Sequence, residues 1–149
     1  MNLPKYQIVA SKTFTEFKFV SVGPHGRIPK AVVFTKIGID LYNLALGDID
    51  PKTGELNDMS RSNNGDMEII LSTVAECIYR FTSENPEASV LMQGNSDARN
   101  RLYRGTFNKF IEDINQDFNL FGLQKEQWKA FDKDVQIKFD AFIIKRKKT

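Results

Sequence analysis

The hydrophobic period changes twice along this chain, and the order of those changes limits the fold more than any other feature. Up to Gly47, apolar residues alternate or cluster in short β-branched and aromatic runs between Gly and Pro, which is the pattern of strands. The expected strands are Tyr6–Ala10, Thr13–Val22, Ile28–Ile37 and Asp40–Gly47. Gly23-Pro24-His25-Gly26 should turn the second into the third, and Pro29 places the start of the third at an edge or a bulge. Asp48 to Glu55 carries the Asp, Pro and Gly of a tight loop, and a polar connection leads on to Asn64.

From Gly65 the period becomes helical: Met67, Ile70, Leu71, Val74, Cys77, Ile78 and Phe81 share one face, at the spacing of a core-packed helix. Asn64 is the expected N-cap, Asp66 and Glu68 suit the positive end of the dipole, and Asn85-Pro86 ends the element. After a short strand, Ala88–Gln93, a second helix is expected from about Ser96 to about Asn115. Its apolar face carries Tyr103, Phe107, Phe110, Ile111 and Ile114. Gly105 interrupts it at a cost near ~1 kcal/mol relative to Ala, which suggests a kink or a close backbone approach. Strands return at Phe118–Leu123, Gln127–Phe131 and Val135–Ile144, and residues 145–149 read as a mobile basic end. This order lacks the strict alternation of strand and helix that builds a parallel sheet. The expectation is an α+β fold, a mostly antiparallel sheet of about six or seven strands with two helices packed on one face, in a single domain over residues 1–149.

Charge and composition narrow the function classes. With 21 basic and 19 acidic side chains the net charge is only +2, so no global field marks a nucleic-acid protein and any basic site must be local. No apolar run approaches the roughly 18 residues of a membrane span, and a cytoplasmic protein without a membrane partner is expected. The single Cys77 cannot form an internal disulfide and lies on the apolar stripe of a helix, where a thiol is inert. His25, the only histidine, sits in a turn, which argues against Ser/His/Asp or Cys/His catalysis. Asp48, Asp50, Glu55 and Asp58 miss the spacing of a calcium loop, and neither a Walker loop nor a dinucleotide fingerprint is present. Neither metal nor cofactor is expected.

The residues that stand out follow the strand Ala88–Gln93. Gly94-Asn95-Ser96-Asp97-Ala98-Arg99-Asn100-Arg101-Leu102-Tyr103-Arg104 puts three arginines in the first turns of a helix, where the macrodipole disfavours positive charge by about 0.3–1 kcal/mol each. Either an internal carboxylate or a bound anion should compensate. Helical projection puts Arg99 beside Tyr103 and Phe110, so one reading is an ion pair with Asp66, Glu68 or Asp48. The other is a phosphate or carboxylate clamp built from N–H groups after Gly94 and guanidinium forks. Asn63-Asn64-Gly65-Asp66 reads as a turn and cap, although beside Gly94–Arg99 its amides and carboxylate would line a polar pocket.

Three ordered motifs carry a resemblance. Asn43-Leu44-Ala45-Leu46-Gly47-Asp48, Asn63-Asn64-Gly65-Asp66, and Gly94 through Tyr103 resemble those of an uncharacterised bacterial family of small proteins, a domain of unknown function. The resemblance implies a single domain and a bacterial origin, and no activity.

The candidate ligand-binding set is therefore Asn63, Asn64, Asp66, Gly94, Asn95, Ser96, Arg99, Arg101, Tyr103 and Arg104. The expected function is a small binding protein that recognises a phosphate-bearing ligand or RNA at the arginine-rich helix start. The alternatives are a metal-independent nuclease or toxin-like RNA cleaver using arginines, Tyr103 and Asp66, and a protein-interaction module whose arginines are structural. Tyr42, Tyr103 and Trp128 are candidate stacking surfaces for a nucleic acid.

Overall fold

The computed structural model describes residues 4–57, 64–94, 96–133 and 138–148. Asp58, Asn63, Asn95, Asp134 and residues 135–137 of the expected last strand lie outside the described residues. Those described contain two helices and nine strands with mostly antiparallel pairing, an α+β fold. The strand count exceeds the expected six or seven. Val9–Ala10 is what forms of the expected Tyr6–Ala10 strand, whereas Leu56–Asn57 falls in the expected polar connection, where a pairing of two residues is too short to leave a periodic signal. The chain divides into two compact units, Met1–Thr35 with Leu44–Asn85, and Lys36–Asn43 with Pro86–Thr149.

The first unit holds β1 (Val9–Ala10), β2 (Glu16–Gly23), most of β3 (Gly26–Gly38) and β4 (Leu41–Ile49), β5 (Leu56–Asn57) and α1 (Met67–Glu84). Its hydrogen-bonded order is β1-β2-β3-β4, with β5 on β4. Alternation along β2 buries Phe17, Phe19 and Ser21 on one face. Phe34 of β3 stacks flat on Phe81 of α1, with ring centroids 4.1 Å apart, and meets Phe17 edge-on. The helical stripe read from the sequence is the buried one: Ile70, Leu71, Val74, Cys77, Ile78 and Phe81. Asn64 is not the N-cap, however. Asp66 holds that position without a capping side-chain bond, because both side chains are drawn into contacts with β2 and its hairpin.

The second unit holds β6 (Ser89–Met92), α2 (Asp97–Asp117), β7 (Phe118–Gln124), β8 (Gln127–Ala130) and β9 (Ala141–Arg146). β9 pairs antiparallel with both β6 and β7, and β8 forms an edge on β7. Phe142 is its centre, fully buried and ringed by Tyr103, Phe107, Phe131 and Phe139. Gly122 permits this packing, since a Cβ there would lie 2.5 Å from the Phe139 ring. α2 breaks at Phe110 (φ −117°, ψ 17°) rather than at Gly105. Among the described residues no neighbouring group stands within 4 Å of a Cβ built at Gly105, so no close backbone approach requires the glycine. Lys145 and Arg146, expected in a mobile end, are the last residues of β9, and the Arg146 guanidinium lies 5.3 Å from the Phe118 ring centroid. No helix among the described residues is long and apolar enough to cross a membrane.

Candidate functional site

Ser96 starts α2 from an extended conformation, and its Oγ accepts the Arg99 N–H at 3.1 Å. The Ser96 carbonyl accepts the N–H of Asn100. Asn100, 8% exposed, folds its side chain back: Oδ1 accepts from Gly94 N–H at 2.8 Å and Nδ2 donates to the Asp140 carbonyl at 3.2 Å. Asp140 N–H in turn donates to the Leu123 carbonyl. One buried amide thus ties the turn to the start of β9, and β9 ties it to the end of β7. Gly94 is required by this closeness, since a Cβ there would stand 2.7 Å from Arg99 Cβ and Cγ and 2.9 Å from Asn100 Oδ1. Its role is to let β6 and α2 approach. The N–H groups of Gly94, Arg99 and Asn100 are already engaged, which removes much of the backbone cradle that the anion reading invoked.

The arginines themselves are differently placed. Arg99 is half-buried and Arg101 exposed, and among the described residues neither has a carboxylate within ion-pairing distance. The carboxylates named for an Arg99 ion pair, Asp66, Glu68 and Asp48, belong to the first unit, and Arg99 to the second. Asp97, the acidic residue of the first turn, pairs at 3.1 Å with Lys138 in an exposed bridge of the kind worth about 0–1 kcal/mol. Asp48 pairs with buried Lys30. Farther along α2 the signs reverse, with Glu112, Asp113 and Asp117 toward the C-terminus. Both ends of the helix thus carry the charge its dipole disfavours. Tyr103 is buried edge-on against Phe142 and is a core residue.

Asn64 and Asp66 form a second cluster, in the first unit. Buried Asn64 accepts from His25 N–H at 2.7 Å and donates through Nδ2 to the Gly26 carbonyl and Ser21 Oγ, clamping the Gly23–Gly26 hairpin. Gly23 leaves room for it, because a Cβ there would fall 2.0 Å from the Asn64 carbonyl oxygen. Asp66 Oδ2 accepts from Tyr6 Oη and Ser21 Oγ, each at 2.5 Å. Burial, and then the bond to Asp66, push the Tyr6 phenol above its ordinary value, so it stays neutral and donates. Asp66 Oδ1 has no hydrogen-bond partner among the described residues. The candidates thus fall into two groups on separate units: Asn64 and Asp66 on the first, and Gly94, Ser96, Arg99, Arg101, Tyr103 and Arg104 on the second.

Asp50 accepts the N–H groups of Lys52 and Thr53 in its own loop. No group of three or more His, Cys, Asp or Glu among the described residues is arranged to hold a metal ion. Burial pushes the Cys77 thiol up to about 12, which leaves it un-ionised and unreactive. Asn100 was the residue missed in the sequence. Its signal was a polar side chain on the stripe of Tyr103, Phe107 and Ile111.

No curated protein and no solved structure matches the chain. The model of a family of unknown function (DUF6934) matches residues 2–147, and the chain belongs to that family.

Proposed function

We propose that the protein is a small cytoplasmic binding protein that takes up a phosphate-bearing ligand at the first turns of α2, through Arg99 and Arg101 with Arg104 beside them. The carrying observation is that Arg99 and Arg101 lack a carboxylate partner among the described residues at the helix end where cations are disfavoured. Helix stability does not account for such a charge order. A bound phosphate does, by converting the repulsion into charge-assisted hydrogen bonds with guanidinium forks. Because the nearest N–H groups are engaged within the turn, recognition rests on side chains. A phosphate carried on a longer ligand, RNA included, fits such a surface better than a small ion needing a closed cradle.

Thermal melts at low salt with inorganic phosphate, a mononucleotide and RNA test this. A ligand at a hundredfold excess over its Kd adds about 2.7 kcal/mol of stability. Arg99→Gln and Arg101→Gln should each remove the gain and leave the ligand-free melt nearly unchanged. Absence of a shift with every anion refutes the reading, and cleavage of labelled RNA by the purified protein replaces it with the enzyme alternative.

A further inference from the structure

The sheet of the second unit has two different faces. On one, Phe118, Leu120, Gly122, Phe142 and Ile144 are buried, and Phe142 meets Tyr103 and Phe107 of α2. The pairing register brings a second apolar set together on the other. Leu91 of β6, Ile143 of β9, Phe121 of β7 and Ala130 of β8 form one row across the strands, and Ala141, Leu123 and Trp128 form the next. Here the aromatic rings are open: Trp128 is 44% exposed and Phe121 36%. Lys145 and Asn119 continue the same face.

We propose that this face is a stacking platform for the bases of single-stranded nucleic acid, with Trp128 and Phe121 as the platform residues. The inference rests on the arginine reading for the accompanying phosphates. Three observations favour a polyanion with bases over a protein partner. The second unit contains thirteen lysines and arginines against ten aspartates and glutamates, whereas the first contains eight against nine, so the excess positive charge belongs to the unit that carries the open rings. Trp128 also lies at the end of the sheet that holds the arginine turn. The hydrogen bonds from Asn100 to Asp140 and from Asp140 to Leu123, followed by the pairing of Leu123 with Trp128, run directly from one to the other. From β9 to β8 this is two strand spacings, roughly 10 Å. Finally, exposed aromatic side chains bordered by basic residues are what sequence-tolerant binding of single strands uses, since every base has a π-face.

Trp128 is the only tryptophan, so its fluorescence reports the event directly. Titration at low salt with an oligoadenylate of about twelve nucleotides, within the usual span of such sites, should quench it saturably. Trp128→Ala should weaken oligoadenylate binding by roughly 5- to 150-fold, the contribution of one stacked base, with Trp128→Phe recovering most of the loss. Both side chains are exposed, and the melting temperature confirms that the variants fold. Inorganic polyphosphate, a polyanion without bases, should bind the wild type and Trp128→Ala equally. If oligoadenylate also binds the two equally, or binds the wild type without quenching, the platform is refuted while the arginine reading stands. If Trp128→Ala abolishes oligoadenylate binding but Arg99→Gln and Arg101→Gln leave it intact, the arginine reading fails instead. If the wild type binds neither polymer, both are overturned.

Discussion

Asn100 offers the most discriminating test of how the arginine turn is built, because one isosteric change separates its two hydrogen bonds. Asn100→Asp keeps an acceptor for Gly94 N–H but turns the Nδ2 donor to Asp140 into an oxygen facing a carbonyl oxygen at about the same distance, 3.2 Å in the native protein. At neutral pH this loses a bond worth about 1 kcal/mol and holds a mostly buried charge against a like partial charge, for about 1–2 kcal/mol more. The charge-assisted bond from Gly94 and the helix dipole each return about 0.5–1 kcal/mol, so the repulsion wins by about 1 kcal/mol. For a chain this long that lowers Tm by about 2–4 °C. Protonation restores a donor toward Asp140, so the folded-state pKa of the new carboxyl is raised above the unfolded value near 3.9. The sign follows from linkage: the variant matches the wild type below about pH 4 and loses stability relative to it as pH rises through the raised pKa. Urea unfolding of both proteins at a series of pH values measures the difference. A gap of the same size at pH 4 and pH 7, or no gap at pH 7, refutes the bond to Asp140 as the determinant. Asn100→Ala loses both bonds at every pH and should show a pH-independent deficit of about 2 kcal/mol.

The two glycines of the β2–β3 hairpin should respond unequally. Gly23→Ala displaces Asn64 and its three hydrogen bonds for about 2–4 kcal/mol, whereas Gly26→Ala meets no atom and carries only the strain of φ +86°, about 1 kcal/mol; equal melting temperatures would contradict this. The two-residue β7–β8 turn places Lys125 and Glu126 at φ 48° and 65°, so Lys125→Asn with Glu126→Gly should stabilise the protein by about 1–2 kcal/mol, read as a higher denaturant midpoint. Cys77, with its thiol pushed up to about 12 by burial, should resist a thiol reagent at pH 8 in the folded protein and react at once in denaturant, as absorbance of the released thiolate would show.

Local signals were legible wherever the pattern repeated. The stripe from Ile70 to Phe81 recurs over three turns and is the buried face of α1, and Gly23-Pro24-His25-Gly26 closes the hairpin it spelled. Asn64 was misread because an Asn before a helix has the same composition whether it caps that helix or binds elsewhere. Its partners, Ser21, His25 and Gly26, lie about forty residues away, beyond any local rule. Gly105 has the lower helix propensity, yet the break falls at Phe110; propensity sets what a bend would cost and not where packing demands one.

The charge order along α2 was visible in the sequence, whereas its meaning depended on long-range pairing. Projection gave Arg99 the same face as Tyr103, but a face is not a depth: Tyr103 is buried under Phe142 while Arg99, one turn nearer the helix start, is half open to solvent. Two of the three carboxylates named for it, and the one in its own first turn, have other partners. Asp48 has Lys30, Asp66 has the hydroxyls of Tyr6 and Ser21, and Asp97 has Lys138. Each pairing is set by strand register or helix entry rather than by sequence proximity. With those three carboxylates committed elsewhere, the proposed external anion is the counterpart we assign to Arg99 and Arg101. Trp128 follows the same logic. Strand alternation fixes which neighbours share its face, but only the register of β7 with β8 and β9 shows that the face it shares with Phe121 leaves both rings exposed.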